Sequence, residues 1–159
     1  MQRKNSIELR RVHEEDTDFL WHLANDPEVR AASFSTATIP WEDHLKWLKT
    51  RLNDPSCAFF IAFNEENIPI GQVRYDITSK EAIISISVKK EYRGNNYGIV
   101  LIKTSVQKIF NCGILKIHAY VKPDNRKSIS TFLRANFKDF GLTTIKGHEA
   151  IHLVLERER

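Results

Sequence analysis

Between Ile86 and Ile102 the chain reads ISVKKEYRGNNYGIVLI, and the hydrophobic period changes inside it from two residues to about 3.6. Upstream, in 82–88, Ile84, Ile86 and Val88 alternate with Ser85 and Ser87. That pattern predicts a strand with one apolar face and one small, polar face. Downstream, Ile99, Ile102, Val106 and Ile109 mark one side of a helix, ended by Asn111 and Gly113. A glycine-flanked basic loop joins the two. Such a junction makes an anion site, because first-turn N–H groups lack intrahelical partners and the helix dipole is positive there. Gly94 and Gly98 leave room for a phosphate beside the backbone. Arg93 and Lys89 or Lys90 add positive charge. The lysine of a triphosphate P-loop is missing, and so is a dinucleotide fingerprint with its later acidic residue. A plain strand-to-helix turn remains the alternative reading of this stretch alone.

Other segments extend the pattern. Residues 6–12 predict a strand, and Phe19, Leu20 and Leu23 a short helix after an acidic start. Trp41, Leu45, Leu48 and Leu52 predict an amphipathic helix over 41–53, following Pro40. The runs CAFFIAF and IPIGQVRYDI flank the polar turn NEEN and predict a hairpin. ILKIHAYV predicts a strand, NRKSISTFLRAN a helix, and FKDFGLTT with HEAIHLVLE a closing strand pair. The order β-α-α-β-β-β-α-β-α-β-β has no internal repeat or linker, so residues 1–159 are expected to form one α/β domain.

Composition narrows the partners. A 42% hydrophobic and 28% charged chain is that of an ordinary soluble globule. No run approaches membrane-spanning length, and MQRKNSIELRR holds no apolar signal core, so a cytoplasmic protein is expected. Cys57 and Cys112 lie in no metal or redox spacing and are expected as reduced thiols. His44, His148 and His152 have no metal spacing either, so no metal is expected. A net charge of +4 suits an anionic ligand without choosing one. No basic aromatic stripe suggests nucleic acid.

A second segment, HAYVKPDNRKSISTFLRANF, places a strand, then Asn125, then a helix carrying Ser128 and Phe132. Together with the Arg93–Gly98 loop it resembles the GNAT superfamily of acetyl-CoA-dependent acyltransferases. That family's loop pattern is Gln/Arg-x-x-Gly-x-Gly/Ala, and here it runs Arg93, Gly94, Asn95, Asn96, Tyr97, Gly98. Asn96 replaces the middle glycine, and asparagine visits the left-handed region more readily than most residues. The resemblance implies a mixed, mostly antiparallel sheet with a splayed parallel strand pair and flanking helices. It implies that Ile86 and Val88 offer backbone groups to pantetheine and that the amides from Gly94 to Ile99 hold the pyrophosphate. Asn125 and Ser128 would lie on the far side of the fork. The implied reaction is direct attack of an amine on the acetyl thioester, with a backbone N–H near Val88 polarising the carbonyl. Many relatives carry tyrosine where this chain has Phe132, which cannot donate a proton. Ser128 is a candidate hydrogen-bonding group. Strand alternation puts His118 and Tyr120 on one face, making them candidate bases, with Ser85 and Ser87 as a possible water path; each also reads as structural.

The acceptor is addressed by a longer stretch, LANDPEVRAASFSTATIPWEDHLKWLKTRLNDPSCAFFIAFNEENIPIGQVRYD. It is similar to the sugar-nucleotide N-acetyltransferases of the pseudaminic-acid pathway, which acetylate the 4-amino group of a UDP-linked amino-deoxy sugar. The serine- and threonine-rich loop from Ala31 to Trp41 would form the acceptor wall. Phe34 or Trp41 could stack on a ring or anchor the core. Arg30 and Arg74 could meet a diphosphate or form salt bridges. Two alternatives stand beside this reading: a protein or peptide α-amine acetyltransferase, and an acetyl-CoA-binding sensor without turnover. A monomer and a homodimer are both open.

Overall fold

A computed structural model of the chain describes residues 6–158, and in it the Ile84–Val88 alternation lies near the middle of a seven-stranded sheet. The elements are β1 (Glu8–Arg11), α1 (Thr17–Ala24), α2 (Pro27–Ala32), α3 (Trp41–Leu52), β2 (Cys57–Phe63), β3 (Pro69–Thr78) and β4 (Glu81–Val88). They continue with α4 (Tyr97–Asn111), β5 (Lys116–Val121), α5 (Arg126–Arg134), β6 (Lys138–Ile145) and β7 (His148–Glu156). The strand order is β1-β2-β3-β4-β5-β7-β6, antiparallel throughout except between β4 and β5. This is the mixed sheet with one parallel pair that the sequence leads one to expect. The one helix it does not signal is α2.

Each face of the sheet is covered. On one side α4 buries Leu101, Ile102, Val106 and Ile109 against Val73, Tyr75, Ile84, Ile117 and Ala119. These α4 residues recur at helical spacing, so the helix lies lengthwise on the sheet. Ser105 is fully buried in that interface and bonds to the Tyr75 hydroxyl at 2.7 Å. Burial raises the Tyr75 phenol well above its ordinary pKa, so it stays neutral. On the other side Leu20 of α1 and Leu48 of α3 pack with Val12, Phe59 and Ile61.

Alternation along β4 therefore has a clear meaning. Ala82 and Ile84 face the α4 side, and Ser85 and Ser87 face the α1–α3 side. The parallel pairing with β5 runs only over Glu81–Ile83 opposite Lys116–His118. Past Ile83 the two strands part. A helix at one end of the gap and a covered face beside it define the region in which a ligand can sit.

Candidate active site

Two hydrogen bonds fix which way the β4 backbone points. Lys89 N donates to Ile70 O at 2.7 Å, and Leu115 N donates to Lys80 O at 2.8 Å. Backbone polarity alternates along a strand. The odd-numbered residues 83, 85 and 87 therefore exchange bonds with β3, while 84, 86 and 88 turn theirs toward β5. Since pairing with β5 ends at the Ile83–His118 pair, which uses the Ile84 N–H, the C=O of Ile84, both groups of Ile86 and the N–H of Val88 point into the gap. Buried backbone groups need partners, so this edge suits a ligand that carries amides of its own. Gly71 stands opposite Val88, and a Cβ there would lie 2.4 Å from Ser87 O. Only glycine lets β3 come this close to the end of β4.

The loop after β4 takes the expected shape. Asn96 has φ 63° and ψ 11°, in the left-handed region, and precedes the first turn of α4. Its side chain makes no cap, so the helix end is left open. The first amide of α4 with a helical partner is that of Val100, bonded to Asn96 O at 3.2 Å. The amides of Tyr97, Gly98 and Ile99 have no backbone partner among the described residues and lie at the positive end of a 15-residue helix. Gly98 faces α5, where an added Cβ would sit 3.4 Å from Thr131 Cγ2. Asn125 caps α5 through Oδ1, which accepts from Ser128 N at 3.3 Å. Asn125 and Ser128 thus shape the start of a second helix beside the first.

Arg93 does not present its charge to this loop. Its Nε donates to Val88 O at 2.9 Å, one terminal nitrogen to Glu28 at 3.0 Å and the other to Asp26 at 2.9 Å. It is a latch from the end of β4 to the start of α2. Asp26 is also the N-cap of α2, accepting from the amides of Glu28 and Val29. Burial alone would raise the Asp26 pKa, but the bonds from Arg93 and the two amides outweigh it and hold the carboxyl below its ordinary value. The sequence-based expectation that Arg93 faces a phosphate is therefore corrected. Its partners are more than sixty residues away in the chain, beyond the reach of local pattern.

On the Ser85 and Ser87 face lies a cavity of about 420 Å³ between α1, α2, α3 and the sheet. Gln72, Arg74, Ser85 and Ser87 line its sheet side, and Arg30, Asp43, His44 and Trp47 its helix side. Register puts Gln72 opposite Ser87 and Arg74 opposite Ser85. Arg74 donates to Asp76 through Nε at 3.3 Å and lies 5.0 Å above the Trp47 ring. Its terminal nitrogens have no hydrogen-bond partner among the described residues. Arg30 reaches the wall but gives four hydrogen bonds to its own surroundings: Nε bonds Ala24 O, and its terminal nitrogens bond Ser35 O, Ala37 O and Ser33 Oγ. It braces the loop after α2, so its expected role as a diphosphate ligand gives way to a positioning one.

Other expected residues lie apart from the cavity. Phe34 packs on His148 at 5.7 Å, and Trp41 packs edge-on to Trp21 at 5.3 Å. Neither lines the wall. His118 lies between Glu81 at 2.7 Å and His152 at 2.8 Å, with the Tyr120 ring stacked on His152 at 4.8 Å. His118 pairs in register with Ile83, so it is about five residues, or roughly 17 Å, along the sheet from Val88. That distance sets it apart as a base for chemistry at Val88. Tyr120 is two residues nearer the gap. Phe132 is 3% exposed and packs edge-on to Phe137 at 5.0 Å. It is a core residue and offers no proton.

Gln72, His44 and Gly71 are the site residues that the sequence reading misses. A signal existed for the first: Gln72, Arg74 and Asp76 alternate through an otherwise apolar strand. Among the described residues no cluster could hold a metal ion, and no helix is long and apolar enough to cross a membrane.

Comparison with known proteins adds an independent line. The profile of the acetyltransferase (GNAT) domain family matches residues 6–138. The chain is 28% identical over 136 residues to acetyltransferase PseH of Campylobacter jejuni subsp. jejuni serotype O:23/36, covering 84% of this chain and 82% of that one. It is 26% identical to acetyltransferase PseH of serotype O:2, covering 90% and 92%. Among solved structures, aminoglycoside acetyltransferase AAC(6')-Ib in complex with coenzyme A superposes with a TM-score of 0.84 at 21% identity, covering 96% of this chain and 95% of that one. Spermidine N-acetyltransferase from Vibrio cholerae in complex with CoA and spermine superposes with a TM-score of 0.85 at 18% identity, covering 94% and 95%. At such identities the structural likeness speaks for the fold.

Proposed function

The chain belongs to the GNAT acetyltransferase family and is an acetyl-CoA-dependent N-acetyltransferase, and from that premise we propose that its acceptor is the 4-amino group of an amino-deoxy sugar carried on a nucleoside diphosphate. The same reading takes residues 1–159 as one acyltransferase domain. The observation that carries it is the cavity of about 420 Å³ beside Ser85 and Ser87, with the Arg74 guanidinium on its wall. Small-molecule sites are concave spaces of about 300–1,000 Å³, mostly apolar with a few placed polar groups. A peptide α-amine would call for a channel of peptide width. The likeness of the N-terminal half to the pseudaminic-acid-pathway acetyltransferases supports an amino-sugar acceptor. So does the name PseH, borne by both relatives.

The residues present fit the donor. The open edge from the Ile84 C=O through Ile86 to the Val88 N–H can pair with the amides of pantetheine, as one more strand would. The orphan amides of Tyr97, Gly98 and Ile99 can hold the pyrophosphate. Acetyl-CoA supplies the acetyl thioester that the amine takes. Val88 N–H can donate to the carbonyl oxygen as negative charge grows on it. Arg93, by holding Val88 O, fixes that residue's orientation at the end of β4. Ser85 and Ser87 lie on the face from which the amine must approach, with Ser87 next to Val88 in the chain. Holding amine and thioester at attack distance supplies much of the rate. Phe132 cannot protonate the departing thiolate, so that proton comes from elsewhere or the thiolate leaves unprotonated.

The test is acceptor-dependent thiol release from acetyl-CoA, with product mass, over sugar nucleotides, free amino sugars, aminoglycosides, polyamines and peptides. A nucleoside-diphosphate 4-amino-deoxy sugar should react at least about tenfold faster than the same free sugar, because remote binding energy can be used to position the amine. Equal rates with the free sugar, or preference for peptide N-termini, would overturn the assignment.

A further inference from the structure

The cavity wall holds two side-chain atoms with no hydrogen-bond partner among the described residues, Gln72 Oε1 and His44 Nε2. Gln72 is 9% exposed and His44 is 3% exposed. Buried polar atoms are nearly always paired, so two such atoms in one cavity ask for an explanation. Both side chains are otherwise fixed. Gln72 gives Nε2 to Ser87 Oγ at 3.1 Å, which leaves its carbonyl oxygen over. His44 stacks near Trp47 at 5.7 Å. Burial lowers its pKa, and a hydrogen bond to the Thr17 backbone only partly offsets this. The ring is therefore neutral. With Nδ1–H on the Thr17 carbonyl, Nε2 carries a bare lone pair. The two atoms are thus of one kind: each can only accept.

We propose that Gln72 Oε1 and His44 Nε2 recognise the acceptor substrate by taking hydrogen bonds from its hydroxyl or amine groups. This rests on the amine-acceptor reading above and deepens it. A diphosphate carries no proton to give at neutral pH, so it does not sit against this pair. Its place is at Arg74, whose terminal nitrogens are donors and which lies two residues, about 7 Å, along the same face of β3 from Gln72. Register then orients the substrate. Gln72 is opposite Ser87, beside Val88, whereas Arg74 is opposite Ser85, farther from it. The donor-bearing end of the sugar faces Val88, and the phosphate end points away along the strand. A substrate held the other way round would bring phosphate oxygens against two lone pairs.

Gln72→Met and His44→Phe remove the lone pairs at similar volume, and His44→Leu stands in should the phenylalanine variant fail to fold. In the free protein a nitrogen-15 spectrum of the His44 ring should show Nε2 as an unprotonated nitrogen, the acceptor that the proposal needs. With the fastest-reacting amine of the panel, either variant should lower kcat/KM for the acceptor by about tenfold or more. The KM for acetyl-CoA should stay within about twofold. A proton on Nε2 would make it a donor and would overturn the proposal. Unchanged acceptor kinetics in Gln72→Met and the His44 variant would overturn it equally. If no panel amine reacts, the reading above fails, and the ring spectrum alone decides: an unprotonated Nε2 upholds the acceptor, a protonated one rejects it.

Discussion

Along its free edge, β4 offers backbone: the C=O of Ile84, both groups of Ile86 and the N–H of Val88, continued by the amides of Tyr97, Gly98 and Ile99. On its Ser85 and Ser87 face it offers side chains, joined by Gln72 and Arg74 from β3 and His44 from α3. The first set is blind to side-chain identity as long as the backbone keeps its shape. The second changes with every substitution. In the function proposed above, one strand would serve the donor with its backbone and the acceptor with its side chains. Two residues tie the sides together. Arg93 bonds Val88 O on the donor side and Asp26 at the start of α2 on the acceptor side. Gly71 lets β3 lie close enough for Gln72 to reach Ser87.

The strongest way to break this division is at the backbone-built side. Gly98→Trp should abolish the stabilisation that acetyl-CoA confers, because its Cβ already lies 3.4 Å from Thr131 Cγ2 and the ring must enter the anion site or displace α5. At about a hundred times the dissociation constant, the lost stabilisation is roughly 2.7 kcal/mol, read as the difference in melting temperature with and without the ligand. A retained shift would mean that the phosphates bind elsewhere.

Gly71→Ala strikes both sides at once. Its Cβ would fall 2.4 Å from Ser87 O, a backbone atom, so β3 and β4 must separate. We expect a loss of about 1–3 kcal/mol of stability and at least a tenfold fall in kcat, as the Val88 amide and Ser87 move together. Denaturant unfolding and steady-state kinetics read the two effects. A normal kcat would remove Val88 from the chemistry.

Phe132→Tyr sharpens the comparison by testing a side chain on the donor side. The ring is in the core against Phe137, so turnover should change by less than about tenfold and acetyl-CoA binding should hold. A larger gain in turnover would show that the natural protein lacks a proton donor it needs.

The smallest expected effect concerns acid. The Asp26 carboxyl has a depressed pKa in the folded protein, so its contribution is complete above its ordinary unfolded value, about 4. It is lost as pH falls through the lower folded value. Asp26→Asn should therefore lower stability by a constant amount at and above about pH 4, and flatten the acid limb of stability against pH below it. An unchanged acid limb would mean that the Arg93 latch does not hold in solution.

How much of this was legible depended on distance along the chain. The strand, loop and α4 could be read because the change of period is local, and Asn96 adopts the left-handed conformation its type permits. α2 escaped because Asn25-Asp26-Pro27 both ends α1 and begins another helix, with Pro27 at the first position and Asp26 as cap. A proline after a helical run reads as a stop, and the six residues of α2 are too few to show a period. Arg93 looked like a phosphate ligand because its loop was visible and its carboxylate partners were not. The cavity escaped for the same reason: Gln72, His44 and Ser87 meet only once the sheet and α3 are assembled. His118 misled through its chemistry, since a histidine in a strand says nothing of which end of the strand reaches the site.

The division between the two sides is tested most directly by one binding measurement. Calorimetric titration of acetyl-CoA into the natural protein and into the triple variant Gln72→Met, Arg74→Met, Ser87→Ala compares the donor site with and without the acceptor face. The account predicts dissociation constants within about twofold, because the donor is held by backbone that these substitutions leave in place. A tenfold or greater loss, about 1.4 kcal/mol, in a variant that remains folded would contradict it, since side chains of the acceptor face would then be part of the donor site.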